Sequence, residues 1–122
     1  MIDDIYEIPS KTPDLQTELD LAWVARAGLD PAVMLGKFRG HVFAVHAKDN
    51  ALKGQAEDEG GFAAVGQGVL DWNTILPAAR GAGVHWYIIE HDQPREPAKV
   101  VQAGADYLRE HLTTNTPARA RR

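Results

Sequence analysis

Three ionisable residues stand at or near the C-terminal ends of the three most strand-like segments of the chain: Asp20, His46 and Glu90. Side chains alternate along a strand, so His46 and Lys48 share one face while Val45 and Ala47 take the other, and Glu90 shares a face with Ile88. A charged group at a strand end is expensive to bury without a partner. Three of them at one level of a sheet point to a common partner. A divalent cation held by two carboxylates and one imidazole meets that need. Oxygen-rich ligation with a single histidine suits Mn²⁺, Mg²⁺ or Co²⁺, with Zn²⁺ as a further option.

Each residue also has a plainer role open to it. His46 can be a hydrogen-bonded structural residue, Asp20 a turn or capping residue, and Glu90 the point where Glu90-His91-Asp92 leaves a strand for solvent. Lys48, inward-facing beside His46, can hydrogen-bond a substrate hydroxyl or carbonyl, or it can be a solvated surface lysine. Trp23 and Trp72 either line a pocket mouth or pack helices onto the sheet. Gly66 and Gly68 suggest a phosphate-cradling loop only weakly; a tight loop close to the rim of the site is the better reading. His85 and His91 read as surface or strand-edge residues, and His41 and His111 offer no chemistry.

The elements that must position these groups follow from apolar patterning. Strands are expected over Glu18–Val24, His41–Ala47 and Val84–Glu90. The second and third are β-branched, aromatic and nearly continuous in apolarity, which is how strands covered on both faces read. Asp30-Pro31 caps a helix that Gly40 stops. A second helix is expected from Asp71 or Asn73 to Gly81 or Gly83, where Pro77 requires a late start or a bend. A third spans Pro97 to Leu112 with a stripe of Val100, Val101, Ala105, Leu108 and Leu112. The predicted order is βαβαβα, an α/β fold with parallel strands. Asp49 to Gly61, polar and glycine-rich, comes directly after a strand and reads as a strand-to-helix loop on the functional rim.

Composition narrows the class. The chain has 122 residues, 44% of them hydrophobic and 25% charged, the balance of a soluble globular domain. It has no cysteine, so disulfides and thiol chemistry are out, and a net charge of −4 argues against nucleic acid as a partner. No apolar run approaches the roughly 20 residues of a membrane span, and no targeting signal is visible, so a cytoplasmic protein is expected. Residues 113–122, with Arg119, Arg121 and Arg122, read as a flexible basic tail.

The wording around the candidate residues adds a resemblance. The series is Glu18-Leu19-Asp20-Leu21-Ala22-Trp23, Ala27-Gly28-Leu29-Asp30-Pro31, His46-Ala47-Lys48-Asp49, Val65-Gly66-Gln67-Gly68-Val69-Leu70-Asp71-Trp72 and Trp86-Tyr87-Ile88-Ile89-Glu90-His91-Asp92. It resembles the C-terminal part of the sugar phosphate isomerase/epimerase family, the xylose isomerase-like TIM barrels, from about Asp14 to Leu112. The resemblance implies a partial (β/α)8 barrel over residues 1–112, with about three C-terminal βα units and Ile2 to Ile8 as the tail of the fifth. It implies a divalent metal held by a Glu, an Asp, a His and a Glu on the fifth to eighth strands. The last three match Asp20, His46 and Glu90, and nothing matches the first. The implied reaction is proton transfer next to a carbonyl of a sugar or sugar phosphate, through an enediolate, with Glu90 as one of two acid/base carboxylates. Lys48 and Trp23 are the candidate substrate-binding residues.

A complete barrel of this kind takes about 250 residues. The expectation is therefore the C-terminal part of a metal-dependent isomerase or epimerase, either truncated or completed by a separately encoded chain, and inactive as an isolated chain. The alternative is a non-catalytic fragment that self-associates and at most binds a metal or small polyol. Three strands alone leave unpaired edges and an uncovered inner face, which favours association.

Overall fold

The structure, a computed structural model, describes Glu7 and residues 11 to 114. Along the chain, β1 (Thr17–Asp20) leads directly into α1 (Leu21–Arg26), and α2 (Pro31–Lys37) comes next. Then come β2 (Val42–Ala47), a short β3 (Asp49–Asn50), a 3-10 turn over Glu57–Glu59 and β4 (Phe62–Ala63). The helix α3 (Trp72–Ala82), β5 (Trp86–Ile89) and α4 (Pro97–Thr114) complete it. The expected fifth-unit tail at Ile2 to Ile8 lies, apart from Glu7, outside the described residues. So does the basic tail beyond Thr114.

β1, β2 and β5 form one parallel sheet in the order β1-β2-β5. Parallel neighbours need a crossover, and α1–α2 and α3 supply the two required. Among the described residues the result is a mixed α/β fold with a three-stranded parallel sheet and the helices α1 to α4. Register sets Asp20 opposite His46, and His46 opposite Ile88. The sheet thus brings the ends of its three strands to one level.

The first strand is shorter than its apolar run predicts. It stops at Asp20, and the expected continuation to Val24 is helical. Leu21, Ala22 and Val24 are buried either way, so apolarity alone does not separate the two forms. Asp20 decides: its backbone is extended, and its Oδ1 accepts the Trp23 amide at 3.0 Å as a helix N-cap. Asp30 caps α2 in the same way, with Pro31 at the first helical position. In α3, Pro77 lies inside the helix. The carbonyl it cannot bond belongs to Asn73, an exposed residue.

The stretch from Asp49 to Gly61 is more ordered than a loop. Asp49 pairs with Ala63 and Asn50 with Phe62 in an antiparallel ladder, so β3 and β4 fold the segment back on itself. Asp49, completely buried, gathers the loop beyond β4 onto its side chain. Its two oxygens accept the amides of Asn50, Gly66, Gly68 and Leu70 at 2.9 to 3.1 Å and the indole Nε1–H of Trp72 at 2.7 Å. Five donors satisfy a carboxylate that would otherwise be costly to bury. The glycines at 66 and 68 are required by this wrapping. A Cβ at Gly68 would stand 2.2 Å from the Asn50 carbonyl oxygen, and one at Gly66 would meet the Tyr107 ring at 2.2 Å. They belong to a tight loop closed on a side chain, and Trp72 belongs to the core.

The apolarity of β2 and β5 reads as cover on both faces, whereas three strands alone leave an inner face open; among the described residues one face is covered. Val45 and Ala47 are fully buried beneath a core of Leu21, Leu35, Phe38, Ile75 and Leu76, with Leu19, Tyr87 and Ile89 packed against it. On the opposite face Trp86 is 65% exposed and Ile88 40%. The β1–β2 register skips Phe43, since Thr17 pairs with Val42 and Glu18 with Ala44. That bulge keeps Val42 in the core and leaves Phe43 exposed. On α4 the apolar stripe also differs: Val101 is exposed, while Gly104 lets the helix approach the Ile89 side chain.

Two measurements check this packing. Gly68→Ala should lower the unfolding free energy by about 1–3 kcal/mol, because its neighbours are backbone and a fixed carboxylate. Gly81→Ala, with open space around its Cβ, should be neutral or stabilising by about 0.5–1 kcal/mol in the same denaturation series. Burial pushes the Tyr87 phenol above its ordinary 10.0, against a smaller opposing pull from Arg80. A raised folded value means that its contribution to stability is complete below pH 10 and is lost as pH rises through it. Ultraviolet phenolate titration should therefore show one fewer late-titrating tyrosine in Tyr87→Phe, with a shallower alkaline loss of stability.

Candidate functional site

Asp20, His46 and Glu90 converge. One ligand atom from each lies within 4.8 Å of the others. Asp20 closes β1 and caps α1 through Oδ1, which leaves Oδ2 aimed at the cluster. His46 is the fifth residue of β2; its Nδ1 stands 3.3 Å from Asp20 Oδ2 and 3.9 Å from Glu90 Oε2. Glu90 is the first residue beyond β5. All three side chains are part-buried, at 20%, 34% and 31% exposed. Two carboxylate oxygens and an imidazole nitrogen form the hard, mixed donor set that Mn²⁺, Mg²⁺, Co²⁺ or Zn²⁺ accepts, so the residues fit such an ion as a partial shell.

The cluster already has a cation of its own. Lys48, read from sequence as either inward or solvated, is 1% exposed. Its Nζ donates to Asp92 Oδ2 at 2.6 Å and Glu90 Oε2 at 2.7 Å, and stands 3.1 Å from Asp20 Oδ2. The Phe62 ring centroid is 4.5 Å from the ammonium and that of Trp23 5.7 Å, within cation–π range. Burial alone would depress the Lys48 pKa. Hydrogen bonds to Asp92, Glu90 and Asp20 outweigh it, and the ammonium is held above its ordinary 10.5. Asp92 moves the other way, below 3.8, chiefly through the hydrogen bond from Lys48 and against its own desolvation. The two strand-end carboxylates thus share a partner that is a side chain.

The mouth is aromatic. Trp23, on α1, is half exposed and meets Phe62 edge-on with centroids 5.3 Å apart. Phe62 reaches this place only because β3 and β4 fold back. Arg26 lies over Phe62 at 3.7 Å, donates from Nε to Asn50 Oδ1 at 2.9 Å and bonds the Gly60 carbonyl at 2.7 Å. Asn50 in turn donates to the Ala22 carbonyl at 3.0 Å, tying α1 to β3. A cleft of about 460 Å³ lies beyond Phe62 and His91, lined among others by Gln55, Arg95 and Lys99, and none of the four cluster residues lines it.

Sequence reasoning brought Asp20, His46, Glu90, Lys48 and Trp23 to one place and missed their neighbours. Asp92 and Glu18 carried a usable signal: each lies two residues from a candidate carboxylate, Asp92 just past the strand and Glu18 on the same face of β1. Phe62 and Arg26 carried none, since their positions depend on the β3–β4 fold.

No protein-family model matches the chain, and no curated protein matches it. Among the described residues no helix is long and apolar enough to cross a membrane.

Lys48→Met should leave Asp20, Glu90 and Asp92 facing one another without a counter-charge. These carboxylates are partly solvated, so the loss at neutral pH should be about 1–3 kcal/mol, below the roughly 3–5 kcal/mol typical of a wholly buried pair. The Asp92 contribution is present above pH 3.8 and lost as pH falls through its lowered value; that of Lys48 is complete below pH 10.5 and lost only above it. Denaturation against pH should therefore show the gap between variant and wild type narrowing in acid. A gap that widens in acid would contradict the ion-pair account.

Proposed function

We propose that these residues form the closing three βα units of a xylose isomerase-like barrel, and that Asp20, His46 and Glu90 belong to a metal site for sugar isomerisation or epimerisation. The observation that carries this reading is the convergence of two carboxylates and an imidazole at the C-terminal ends of three neighbouring parallel strands. That end of a parallel α/β sheet is where such folds place their chemistry. The order of the motifs along the chain supports it independently.

When bound, a divalent ion there polarises a carbonyl and stabilises the developing oxyanion. The chain's own groups supply part of the rest. Glu90 takes the proton from the carbon next to the carbonyl, and the return of a proton falls to the second acid/base carboxylate, which a completing chain would supply. Lys48, already bonded to Glu90, turns its donors to a substrate hydroxyl or carbonyl. Trp23 and Phe62 present apolar faces to the C–H side of a sugar or sugar phosphate and shield the site from water. The uncovered face of Phe43, Trp86 and Ile88 is where further strands of the barrel would close over the sheet.

A second reading has its own support. Lys48 bridges Asp20, Glu90 and Asp92 with no metal required. The same residues then serve as a structural ion-pair knot in a self-associating, non-catalytic module that at most holds a small polyol. Calorimetric titration with Mn²⁺ separates the two. The metal-site reading expects saturable binding that His46→Ala weakens at least about tenfold, and Glu90→Gln should abolish isomerisation in any assembly that shows it. Absence of binding, or binding indifferent to His46→Ala, favours the ion-pair knot.

A further inference from the structure

The two ring nitrogens of His46 keep different company. Nδ1 faces Asp20 Oδ2 and Glu90 Oε2, whereas Nε2 lies 2.7 Å from Glu18 Oε1. Glu18 and Asp20 alternate on β1 and so share a face, opposite Ala44 and His46 on β2. Glu18 therefore sits one position further from the strand end than the donor cluster. It is not among the residues whose ligand atoms gather within 4.8 Å. The imidazole separates it from that group, so it is not a fourth ligand. A carboxylate only accepts, so its oxygen at 2.7 Å from a ring nitrogen is a favourable contact only when that nitrogen carries a proton. The contact therefore calls for a proton on Nε2. On the other side Nδ1 hydrogen-bonds Asp20 Oδ2 at the longer distance of 3.3 Å, and Glu90 Oε2 lies 3.9 Å away.

We propose that Glu18 is a positioning residue: its carboxylate takes the Nε2–H of His46 and holds the ring so that Nδ1 is the nitrogen presented to a divalent cation shared with Asp20 and Glu90. The role toward a cation rests on the metal-site reading above. A ligating imidazole needs its second nitrogen occupied, because that bond fixes ring rotation and tautomer and raises the basicity of the coordinating nitrogen. Without Glu18 the ring is free to turn about its side-chain torsions and to offer either nitrogen. A second proton on Nδ1 in the metal-free protein leaves the assignment intact, since a cation replaces it.

The test has two arms on the full chain. Long-range proton–nitrogen NMR with nitrogen-labelled histidine, on metal-free protein, should show a hydrogen-bonded Nε2–H for His46 in wild type and in Glu18→Gln, which keeps an acceptor. Glu18→Ala should lose that signal to solvent exchange. A ring protonated on Nδ1 alone, or an Nε2–H signal indifferent to Glu18→Ala, overturns the proposal. Calorimetric titration with Zn²⁺ should show binding weakened about 10–100-fold in Glu18→Ala and largely restored in Glu18→Gln. Zn²⁺ binding that Glu18→Ala leaves unchanged overturns the positioning role and leaves the metal-site reading standing. Failure of the wild-type protein to bind Zn²⁺ overturns the metal-site reading and, with it, the role of Glu18 toward a cation.

Discussion

One buried ammonium organises the functional end of this sheet. Lys48 is almost inaccessible, yet it contacts carboxylates from two of the three neighbouring strand ends, Asp20 and Glu90, together with Asp92 beyond β5. Strand ends in a parallel sheet collect like charge readily, and the penalty grows as they approach. A single cation set among them turns mutual repulsion into a three-way clamp. The aromatic faces of Trp23 and Phe62 close the remaining directions and keep water from competing. The positions of α1, β3 and β4 all serve to supply those groups.

The neighbouring residue does complementary work. Asp49 faces away from the clamp and draws five donors onto itself. One residue bridges three acids, and the next, of opposite sign, satisfies its own charge from backbone amides and an indole. Two adjacent buried charges therefore cost little, because each is matched separately and on its own side of the strand. The glycines at 66 and 68 are consequences of the second arrangement: the loop must come close enough to bond a carboxylate, and a Cβ would prevent it.

Much of this was legible in the sequence, and the gaps have physical causes. Alternation along a strand put His46 and Lys48 on one face, and strand-end placement brought Asp20 and Glu90 into the argument. The parallel order of three strands came from the intervening helical patterns. The end of β1 was hidden, because Leu21 to Val24 is apolar at positions that satisfy a strand or a short helix, and the capping bond of Asp20 is a local competition that periodicity does not register. The fold-back of β3 onto β4 was hidden by two-residue strands within a polar, glycine-rich run. Phe62 and Arg26 were missed with it. Continuous apolarity in β2 and β5 overstated their cover: the pattern records that a face is suited to burial, and among the described residues the helices lie on the other side.

Pinning both sides of Lys48 has a kinetic consequence. His46 is fixed by the β2 ladders and Asp49 by its five bonds, so the Lys48 backbone has nowhere to go. Any exchange of the ammonium for another ion must run through side-chain torsions alone, which turn over rapidly. The carboxylates then see a tethered competitor at an effective concentration on the order of millimolar or above. A diffusing ion displaces it only by binding far more tightly than the ammonium does. Any cation that takes these carboxylates has first to outcompete a lysine that cannot diffuse away.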